Sequence, residues 1–356
     1  MIQIFTDTSA NLPAAYIQKY SLRVIPLTYF VDGAEAHQDP AVDFDGKAYY
    51  DAMRSGTPVS TAMINLAAFL EPLHAALAAG DDVIYIGMSG GISGTAHAAA
   101  MAVQELQEEF PERKIAAIDT YAASLGEGLL VIEAARMLEN GAPFSLIVEQ
   151  ISRRRHTMCQ YFTVDDLAYL ERGGRVSKAA AIVGTVLKIK PLLRGDDEGK
   201  IVQCGKTRGR KQSLTALADF YEKLVADKSE EIGIAHADDA AGAQFLLDAL
   251  RQRGFTGECL TVCYEPVTGS HVGPARWRCF SRASTDKRKP GGHVLRVFYV
   301  SFRSTCRIIF SNFARGPMTS RPQPRQRSLK SAPMRSTSQR FSPQGCCFFI
   351  VRISPT

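Results

Sequence analysis

The sequence predicts an α/β protein of two domains, and three observations carry that prediction. The chain has 356 residues, of which 46% are apolar and 22% charged, a globular composition with room for about two domains of ordinary length. Its first half alternates short apolar runs with longer segments of helical periodicity, which is typical of a mainly parallel sheet covered by helices. Its second half forms another series of strands and helices and indicates an α+β domain.

In residues 1–156, four apolar runs predict strands and five periodic segments predict helices. The predicted strands are 2–5, 22–27, 82–87 and 115–118, and the predicted helices are 46–54, 66–79, 95–110, 124–140 and 143–154. Polar or small residues follow the first, third and fourth strands at 6–9, 88–91 and 119–120. Because ligands of such sheets gather at the carboxyl ends of the strands, we expect these three loops to face one crevice.

Residues 157–274 contain the elements of the second predicted domain, and no internal repeat stands out. The predicted strands are 159–164, 200–205, 231–236 and 258–264, and the predicted helices are 166–172, 177–187, 212–226 and 240–253.

The charge of the chain is divided unevenly, and this division marks a third segment. Residues 275–356 carry 17 Lys and Arg and one acid, Asp286, a net charge of +16. Residues 1–274 carry the other 25 Lys and Arg and 35 acids, a net charge of −10. The tail also loses periodicity and is rich in Pro, Ser and Arg, which predicts disorder. Since the basic signal comes only from this tail, we expect no nucleic-acid partner for the body.

A one-base frameshift offers an explanation of the tail. If a parent gene read Gly-Ala-Leu-Ala-Leu-Phe-Phe after Pro274, with codons GGC GCG CTG GCG CTG TTT TTC, deletion of one G gives GCG CGC TGG CGC TGT TTT TC. These triplets encode Ala-Arg-Trp-Arg-Cys-Phe-Ser, the sequence at 275–281, which contains Trp277, the one tryptophan of the chain. We therefore expect residues 275–356 to be an out-of-frame product; a genuine nucleic-acid-binding arm is the alternative.

The sequence predicts neither a metal or other cofactor nor a membrane span. The body has four cysteines without a CxxC pair or a histidine at ligand spacing, which favours buried free thiols. They are Cys159, Cys204, Cys259 and Cys263. No apolar run reaches the roughly 18 residues of a membrane helix and no basic segment leads into an apolar start, so we expect a cytoplasmic protein without integral membrane association.

The segment 89–95, Ser-Gly-Gly-Ile-Ser-Gly-Thr, is the first candidate for chemistry because it joins a predicted strand to a predicted helix. Its glycines let the backbone approach a ligand, and a helix N-terminus offers free N–H groups. Together with the hydroxyls of Ser93 and Thr95 on either side of Gly94, this suits an anion. It is not a Walker A loop, because lysine is missing after the last glycine. Ser93 acting only as an N-cap explains the same pattern equally well.

Three further candidates each have an ordinary structural alternative. Thr61 precedes the predicted helix 66–79, which it or Asn65 could cap. Arg175 follows two glycines, either as a surface turn residue or as a clamp for carboxylate or phosphate. His271 lies in a predicted loop after the last strand, where histidines more often face solvent.

Taken together, these segments resemble the DegV family of bacterial fatty-acid-binding proteins. The matching stretches are 6–13, 59–65, 89–95, 119–128, 167–176, 189–192 and 269–274. Each stretch alone is a weak signal. They occur in the order of the family and span essentially all of residues 1–274, which makes the set specific.

The resemblance implies a DegV-like fold of domains 1–156 and 157–274 that holds one long-chain fatty acid in an apolar tunnel between them. It implies that Thr61 and Ser93 hydrogen-bond the carboxylate, with Arg175 and His271 near the mouth of the site. It also implies a partner, a separate fatty acid kinase, which phosphorylates the carboxylate with ATP and so feeds phospholipid synthesis. By this resemblance the chain is a lipid-binding subunit and not the enzyme.

Two departures from the family pattern bear on these expectations. Ala62 and Gly90 stand where the family commonly has serine, so two hydroxyls are missing near the head-group site. Family members also continue after Gly-Pro with an apolar, Gly-Ala-rich segment, which the tail replaces.

Two other functions are compatible with parts of the sequence. One is an enzyme acting on a phosphorylated small molecule cradled by residues 89–95, although no base, metal cluster or Walker lysine accompanies that loop. The other is a nucleic-acid binder using the tail, whose affinity would fall steeply with salt and vanish on truncation at Pro274.

Overall fold

The computed structural model describes residues 1–177, 189–274, 276–282 and 346–352, the last two ranges as backbone only. The predicted helix 177–187 and most of the predicted tail therefore lie outside the described residues.

Within these ranges the chain alternates strands and helices, as predicted. In chain order the elements are β1 (Ile2–Asp7), α1 (Ala14–Lys19), β2 (Arg23–Ile25), β3 (Thr28–Val31), β4 (Ala34–His37), α2 (Gly46–Arg54), β5 (Val59–Ala62), α3 (Leu66–Ala78), β6 (Asp82–Gly87), α4 (Thr95–Glu109), β7 (Ile115–Asp119), α5 (Leu125–Glu139), α6 (Phe144–Arg154), β8 (Met158–Thr163), α7 (Ala168–Arg172), β9 (Ile189–Gly195), β10 (Ile201–Arg208), α8 (Arg210–Leu224), β11 (Ile232–His236), α9 (Ala240–Gln252), β12 (Cys259–Cys263), α10 (Pro266–Val272), β13 (Arg276–Arg282) and β14 (Cys346–Arg352). The elements predicted in residues 1–156 differ from the observed ones by at most two residues at their ends.

The N-terminal sheet is parallel, which confirms the predicted fold class. Its strand order is β2-β1-β6-β7, and each neighbouring pair runs parallel. Helices cover both faces, so the strands are apolar along nearly their whole length. On β6, Ile84 packs into the core that contains α5 and α6, whereas Tyr85 packs into the core that contains α3 and α4.

A three-stranded antiparallel sheet, β4-β3-β5, is an addition to the predicted architecture. A two-residue turn joins β3 to β4, with φ of 51° at Asp32 and 80° at Gly33, as in the type I′ hairpins that favour Asp-Gly. That dipeptide is a usable sequence signal, but these strands are short and mostly half-buried or exposed, so their apolar periodicity is weak. As a result Thr61 lies in a strand, and Asn65 caps α3 by accepting the N–H of Ala68.

The C-terminal sheet is mixed, in the order β10-β9-β8-β14-β13-β11-β12. β11 and β12 run parallel, whereas β8, β9 and β10 are antiparallel neighbours. α8 and α9 contribute Leu217, Tyr221 and Leu246 to a separate hydrophobic cluster with Ile234 of β11. This arrangement agrees with the predicted α+β second half.

Two segments of the tail differ from the prediction of disorder. Arg276–Arg282 forms β13 and Cys346–Arg352 forms β14. β13 pairs antiparallel with β11, whose other edge holds β12. The tail backbone therefore satisfies N–H and C=O groups that an unpaired sheet edge would leave open. The rest of the tail lies outside the described residues, and its origin by frameshift stays a hypothesis.

Contacts between the N- and C-terminal halves bring α10 against β5. The hydroxyls of Tyr49 and Tyr50 on α2 donate to the carbonyls of Pro266 and Tyr264, each at 3.0 Å. Arg54, also on α2, forms an ion pair with Asp238 at 2.6 Å. The described residues belong to one compact unit; the predicted domain boundary at 156 falls in the 3-10 turn Arg155–Thr157 and stays a prediction.

Candidate functional site

A cavity of about 40 Å³ lies where β5, the loop before α4, the end of α7 and α10 meet. Its lining residues are Leu27, Thr61, Ala62, Met63, Met88, Ile92, Ser93, Ala123, Leu170, Arg175, Ile201, Val267, Thr268, His271 and Val272. Most of them are apolar, and none of them is acidic. Because a water-sized group needs roughly 10–15 Å³ of such volume, the cavity admits about three, which suits a carboxylate head group.

The cavity brings together four of the six residues predicted for the site. The four are Thr61, Ser93, Arg175 and His271. The other two lie behind the lining. Gly94 packs against Met63, whose Sδ would be 2.5 Å from a Cβ at this position, and Thr95 is fully buried next to Ser93. The contact of Gly94 and Thr95 with a ligand therefore stays a prediction without geometric support.

His271 lies on α10, so the prediction of a loop position is wrong. The buried carboxylate of Glu265 caps this helix by accepting the N–H groups of Val267 and Thr268 at 2.5 and 2.6 Å, and Pro266 occupies its first position. The pair Glu-Pro before the helix was an available signal. α10 carries the His271 ring to β5, where Nε2 lies 2.8 Å from the Thr61 Oγ1.

The protonation of His271 determines what Thr61 can do. Burial, together with the positive charge of Arg175, lowers the pKa of His271 to about 3, so the ring is neutral at pH 7. If Nε2 carries the hydrogen, it donates to Thr61 and the threonine hydroxyl can still donate to an anion. If Nδ1 carries it, Thr61 donates to the ring instead. The tautomer of His271 thus controls the availability of the Thr61 donor.

The hydrogen bonds of Ser93 with Thr95 decide whether the Ser93 hydroxyl can donate into the cavity. Its Oγ accepts the N–H of Thr95 at 3.3 Å and lies 2.9 Å from the Thr95 Oγ1. The Thr95 oxygen also accepts the N–H of Ile64 at 3.4 Å. When the Thr95 hydroxyl donates to Ser93, the hydrogen of Ser93 is left for a ligand. The N-cap residue of α4 is Gly94 and not Ser93.

Two glycines explain the position of Arg175. A Cβ on Gly173 would lie 2.2 Å from the Nδ1 of His271, so only glycine admits the ring here. Gly174 has a φ of 73° and turns the chain after α7. The Arg175 guanidinium then donates from Nε to the carbonyl of Ile92 at 2.9 Å and from Nη1 to the carbonyl of Gly173. Burial lowers the pKa of Arg175, but a guanidinium stays charged at neutral pH and keeps further N–H donors.

The loop 89–95 is poorly suited to cradle a phosphate. The N–H of Gly90 donates to the Asp119 carboxylate and that of Gly91 to the Ser89 hydroxyl, each at 3.0 Å. The N–H of Ser93 donates to the carbonyl of Ser89 at 3.1 Å. The N–H groups of Gly90, Gly91 and Ser93 are therefore already paired, and the Asp119 carboxylate next to Gly90 repels a phosphate.

The three loops at the carboxyl ends of β1, β6 and β7 meet as expected, but the first of them is structural. The carboxylate of Asp7 accepts the N–H of Met88 and the hydroxyl of Tyr85. The Ser9 Oγ lies 2.5 Å from an oxygen of Asp7 and 2.7 Å from an oxygen of Glu127. All of these side chains except Met88 are buried at 1% exposure or less, and none except Met88 lines the cavity. The stretch 6–13 therefore contributes to a buried polar network and not to the cavity lining.

Thr268 is a cavity residue that the sequence patterns do not single out. Its side chain is 6% exposed and lines the cavity beside Thr61 and His271. The available signal was its position three residues before His271, which places both on one face of a helix.

The cysteines differ in part from the predicted buried thiols. None of the four body cysteines forms a disulfide within the described residues, and only Cys159 is buried. Cys204 is exposed because it lies at a β-bulge of the edge strand β10. Among the described residues no group of three or more His, Cys, Asp or Glu is arranged to hold a metal. No helix within the same ranges is long and apolar enough to cross a membrane.

Comparison with known sequences decides the family. A family model described as "Uncharacterised protein, DegV family" matches residues 1–279. The chain belongs to the DegV family. A DegV domain-containing protein of Clostridium perfringens, CPE0026, is 35% identical over 271 residues, which are 76% of this chain and 93% of that protein. The Lactococcus lactis DegV domain-containing protein YteA is 38% identical over 218 residues, 61% of this chain and 75% of its own.

Solved DegV structures share the fold. The fatty-acid-binding DegV protein SAG1342 of Streptococcus agalactiae is 30% identical with a TM-score of 0.69, and the match covers 79% of this chain and 97% of that one. A fatty-acid-binding DegV protein of Thermus thermophilus is 29% identical with a TM-score of 0.68, over 78% of this chain and 97% of its own. Both likenesses extend over nearly the whole length of the compared protein.

Proposed function

We propose that this DegV protein binds a long-chain fatty acid with its carboxylate at Thr61 and Ser93, and presents it to a separate fatty acid kinase. The observation that carries the proposal is the cavity itself. Its polar end combines the Ser93 hydroxyl, the Arg175 guanidinium and the Thr61–His271 pair, and the rest of its lining is apolar without an acid. That is the composition a carboxylate on a hydrocarbon chain requires.

The free energies of methylene burial and of hydrogen bonding indicate different roles for the apolar lining and for the hydroxyls of such a site. Burial contributes roughly 0.8 kcal/mol per methylene, so about fifteen methylenes contribute on the order of 12 kcal/mol before ordering costs. A hydrogen bond to a charged group nets only about 1.5–3 kcal/mol. The hydrocarbon should therefore supply most of the affinity, while Thr61 and Ser93 fix the position of the carboxylate.

The tunnel is part of the proposal. The cavity described above has room for a head group. We infer that the tunnel extends from the apolar lining, which includes Leu27, Met88 and Val267. The fatty-acid-binding character of the S. agalactiae and T. thermophilus DegV proteins supports this inference.

An enzyme acting on a phosphorylated small molecule is the weaker candidate, because the N–H groups of Gly90 and Gly91 in the loop 89–95 are paired and Asp119 lies beside them. The DegV proteins of known structure cited above are fatty-acid-binding proteins, which also favours a carrier that is not itself the enzyme.

Identification of the bound lipid tests the function directly. Mass spectrometry of lipid extracted from purified protein should recover a fatty acid at about one per chain, and affinity should rise about tenfold for every two methylenes until the tunnel is full. Equal affinity for octanoate and palmitate would contradict a tunnel. An empty, folded protein that binds nucleotide would favour the enzyme.

Replacement of Ser93 separates positioning from affinity. Ser93→Ala, like Thr61→Ala, should lower kinase-dependent formation of acyl phosphate more than it lowers palmitate affinity, since only positioning depends on the hydroxyl. Ser213→Ala is a matched control, because Ser213 is 1% exposed and lies outside the cavity. Near-total and equal loss of both activities in Ser93→Ala would contradict the assignment.

A further inference from the structure

The rim of the cavity carries an exposed methionine, Met63. Its side chain lines the cavity and is 48% exposed, so it reaches from the lining to the solvent. Met88, which also lines the cavity, is only 6% exposed. A small solute can therefore reach Met63 from outside, at the mouth of the candidate site.

Two contacts hold Met63 next to the hydroxyls of the site. Its Sδ rests on Gly94, where a Cβ would lie only 2.5 Å from the sulfur, and Gly94 stands between Ser93 and Thr95. The residue after Met63, Ile64, donates its N–H to the Thr95 Oγ1 at 3.4 Å. The thioether therefore lies against the turn that carries the Ser93 hydroxyl.

A peroxide in the surrounding solution can oxidise an accessible thioether. The sulfur lone pair attacks one oxygen of hydrogen peroxide, so that an S–O bond forms and the O–O bond breaks. The leaving hydroxide takes the proton of the transferred oxygen, and the products are methionine sulfoxide and water. The sulfur loses two electrons, and the peroxide gains them.

The sulfoxide places a polar acceptor where the thioether is apolar. This acceptor lies in the same lining as the donors that a carboxylate requires, which belong to Thr61, Ser93 and Arg175. It competes with the carboxylate for their hydrogens, and its negative end repels the carboxylate. Oxidation of Met63 should therefore weaken the head-group site.

We propose that Met63 is an oxidation site at the mouth of the cavity, and that its sulfoxide weakens the binding of a fatty acid carboxylate. The proposal rests on the proposed function, fatty acid binding, and adds to it a residue that responds to peroxide. A methionine sulfoxide reductase would reverse the change.

The test treats the unliganded full chain with graded amounts of hydrogen peroxide and then removes the peroxide with catalase. Peptide mass spectrometry measures the sulfoxide fraction at each methionine, and palmitate affinity is measured on the same samples. Met63→Leu keeps an apolar side chain of similar size that peroxide does not oxidise. Met101→Leu is the matched control, because Met101 is 44% exposed on α4 and lies outside the cavity. Both variants keep the cysteines of the chain, so cysteine oxidation is common to all the samples.

Peroxide should oxidise both Met63 and Met101 in the wild type and lower palmitate affinity about tenfold, as expected when one hydrogen bond to a charged group is lost. The loss should follow the sulfoxide fraction at Met63, a measurement that does not depend on the leucine variant, and the reductase should reverse it. Met63→Leu should keep its palmitate affinity after peroxide, whereas Met101→Leu should lose affinity like the wild type.

Two results would overturn the assignment. The first is sulfoxide at Met101 without sulfoxide at Met63, because the sulfur of Met63 is then out of reach. The second is an oxidised Met63 with unchanged palmitate affinity, or an equal loss of affinity in Met63→Leu. In both cases a wild type that binds palmitate before treatment leaves the proposed function standing. An untreated wild type that binds no palmitate refutes the proposed function together with this inference.

Discussion

One hydrogen atom determines the charge of the buried acids behind the site. The Ser9 hydroxyl lies within hydrogen-bond distance of both Asp7 and Glu127, but it has one hydrogen to donate. The second contact is favourable only when one of the two acids is protonated and donates to Ser9. Burial raises the pKa of Asp7 and, more strongly, that of Glu127, which supports a retained proton.

The variant Glu127→Gln should show this proton as a pH dependence of stability. A carboxyl whose pKa is raised on folding contributes stability that is complete below the unfolded value, about 4.5, and is lost as pH rises through the folded value. Gln cannot ionise, so the stability of the variant relative to the wild type should rise with pH by up to about 1.4 kcal/mol per unit above 4.5.

Urea unfolding at pH 5.5 and pH 8 measures this difference, and Glu108→Gln, at an exposed position on α4, is the control. His271 acts in the opposite direction, because its lowered pKa removes stability as pH falls below about 6.5, but this effect is common to all the variants compared. A stability difference for Glu127→Gln that does not vary with pH would contradict a shared proton.

The site residues were predictable where they follow a local motif, and not where they depend on distant contacts. Ser93 and Arg175 stand beside glycines that mark a loop, and Thr61 and His271 lie in stretches that resemble the family. The bond between Thr61 and His271 joins residues 210 positions apart, and nothing local predicts it. Thr268 was not predicted, because its place in the cavity lining depends on side chains from distant parts of the chain.

At the scale of elements, the β9–β10 hairpin is attached to the loop that carries Ser93. The Ser89 hydroxyl donates to the carbonyl of Gly199 in the hairpin turn at 3.0 Å. A Cβ on Gly199 would lie 2.0 Å from that hydroxyl oxygen and 3.0 Å from the Cα of Tyr121. The turn therefore fits only with glycine at its tip.

Gly199→Ala should destabilise the fold clearly more than Gly33→Ala. Both glycines have positive φ, of 73° and 80°, so both substitutions cost about 1–2 kcal/mol of backbone strain. Around Gly33 there is no atom within 4 Å of a new Cβ, so only Gly199→Ala adds a steric clash. Thermal unfolding of both variants tests this, and equal losses would mean that the hairpin is not held against Ser89.

Sequence patterns predict the elements in which many positions along the segment are buried. β1 and β6 are buried on both faces and read as continuous apolar runs, so the parallel sheet follows from the sequence. The β4-β3-β5 sheet and the short helix α10 have few buried positions to produce a period. Their signals are the Asp-Gly turn and the Glu265-Pro266 cap.

At the scale of the whole molecule, membership of the DegV family extends to residue 279, close to the end of the body at Pro274. The C. perfringens relative is covered to 93% of its length, so the family relationship accounts for little of the tail. The strand β13 nevertheless occupies a place between β11 and the rest of the second sheet. Its sequence, Arg-Trp-Arg-Cys-Phe-Ser-Arg, carries three arginines.

Restoration of the inferred reading frame should therefore increase the stability of the folded protein. Gly-Ala-Leu-Ala-Leu-Phe-Phe after Pro274 supplies an apolar strand at this place, and burial of two or three such side chains contributes about 1.5–3 kcal/mol each. A higher melting temperature and less aggregation than the present chain are expected. Resequencing of the locus is the complementary test, since an uninterrupted read of the present frame would remove the frameshift hypothesis.

The carboxyl pair Asp7 and Glu127 beside Ser9 also affects the pH of the solution in which the protein folds. The unfolded chain ionises both carboxyls above pH 5, whereas burial raises the pKa of Asp7 and of Glu127 and favours retention of one hydrogen in the fold. Folding at pH 8, where free imidazoles are already neutral, is therefore expected to remove hydrogen ions from the solution. A concentrated, unbuffered sample should become more alkaline as it renatures and more acidic as urea denatures it.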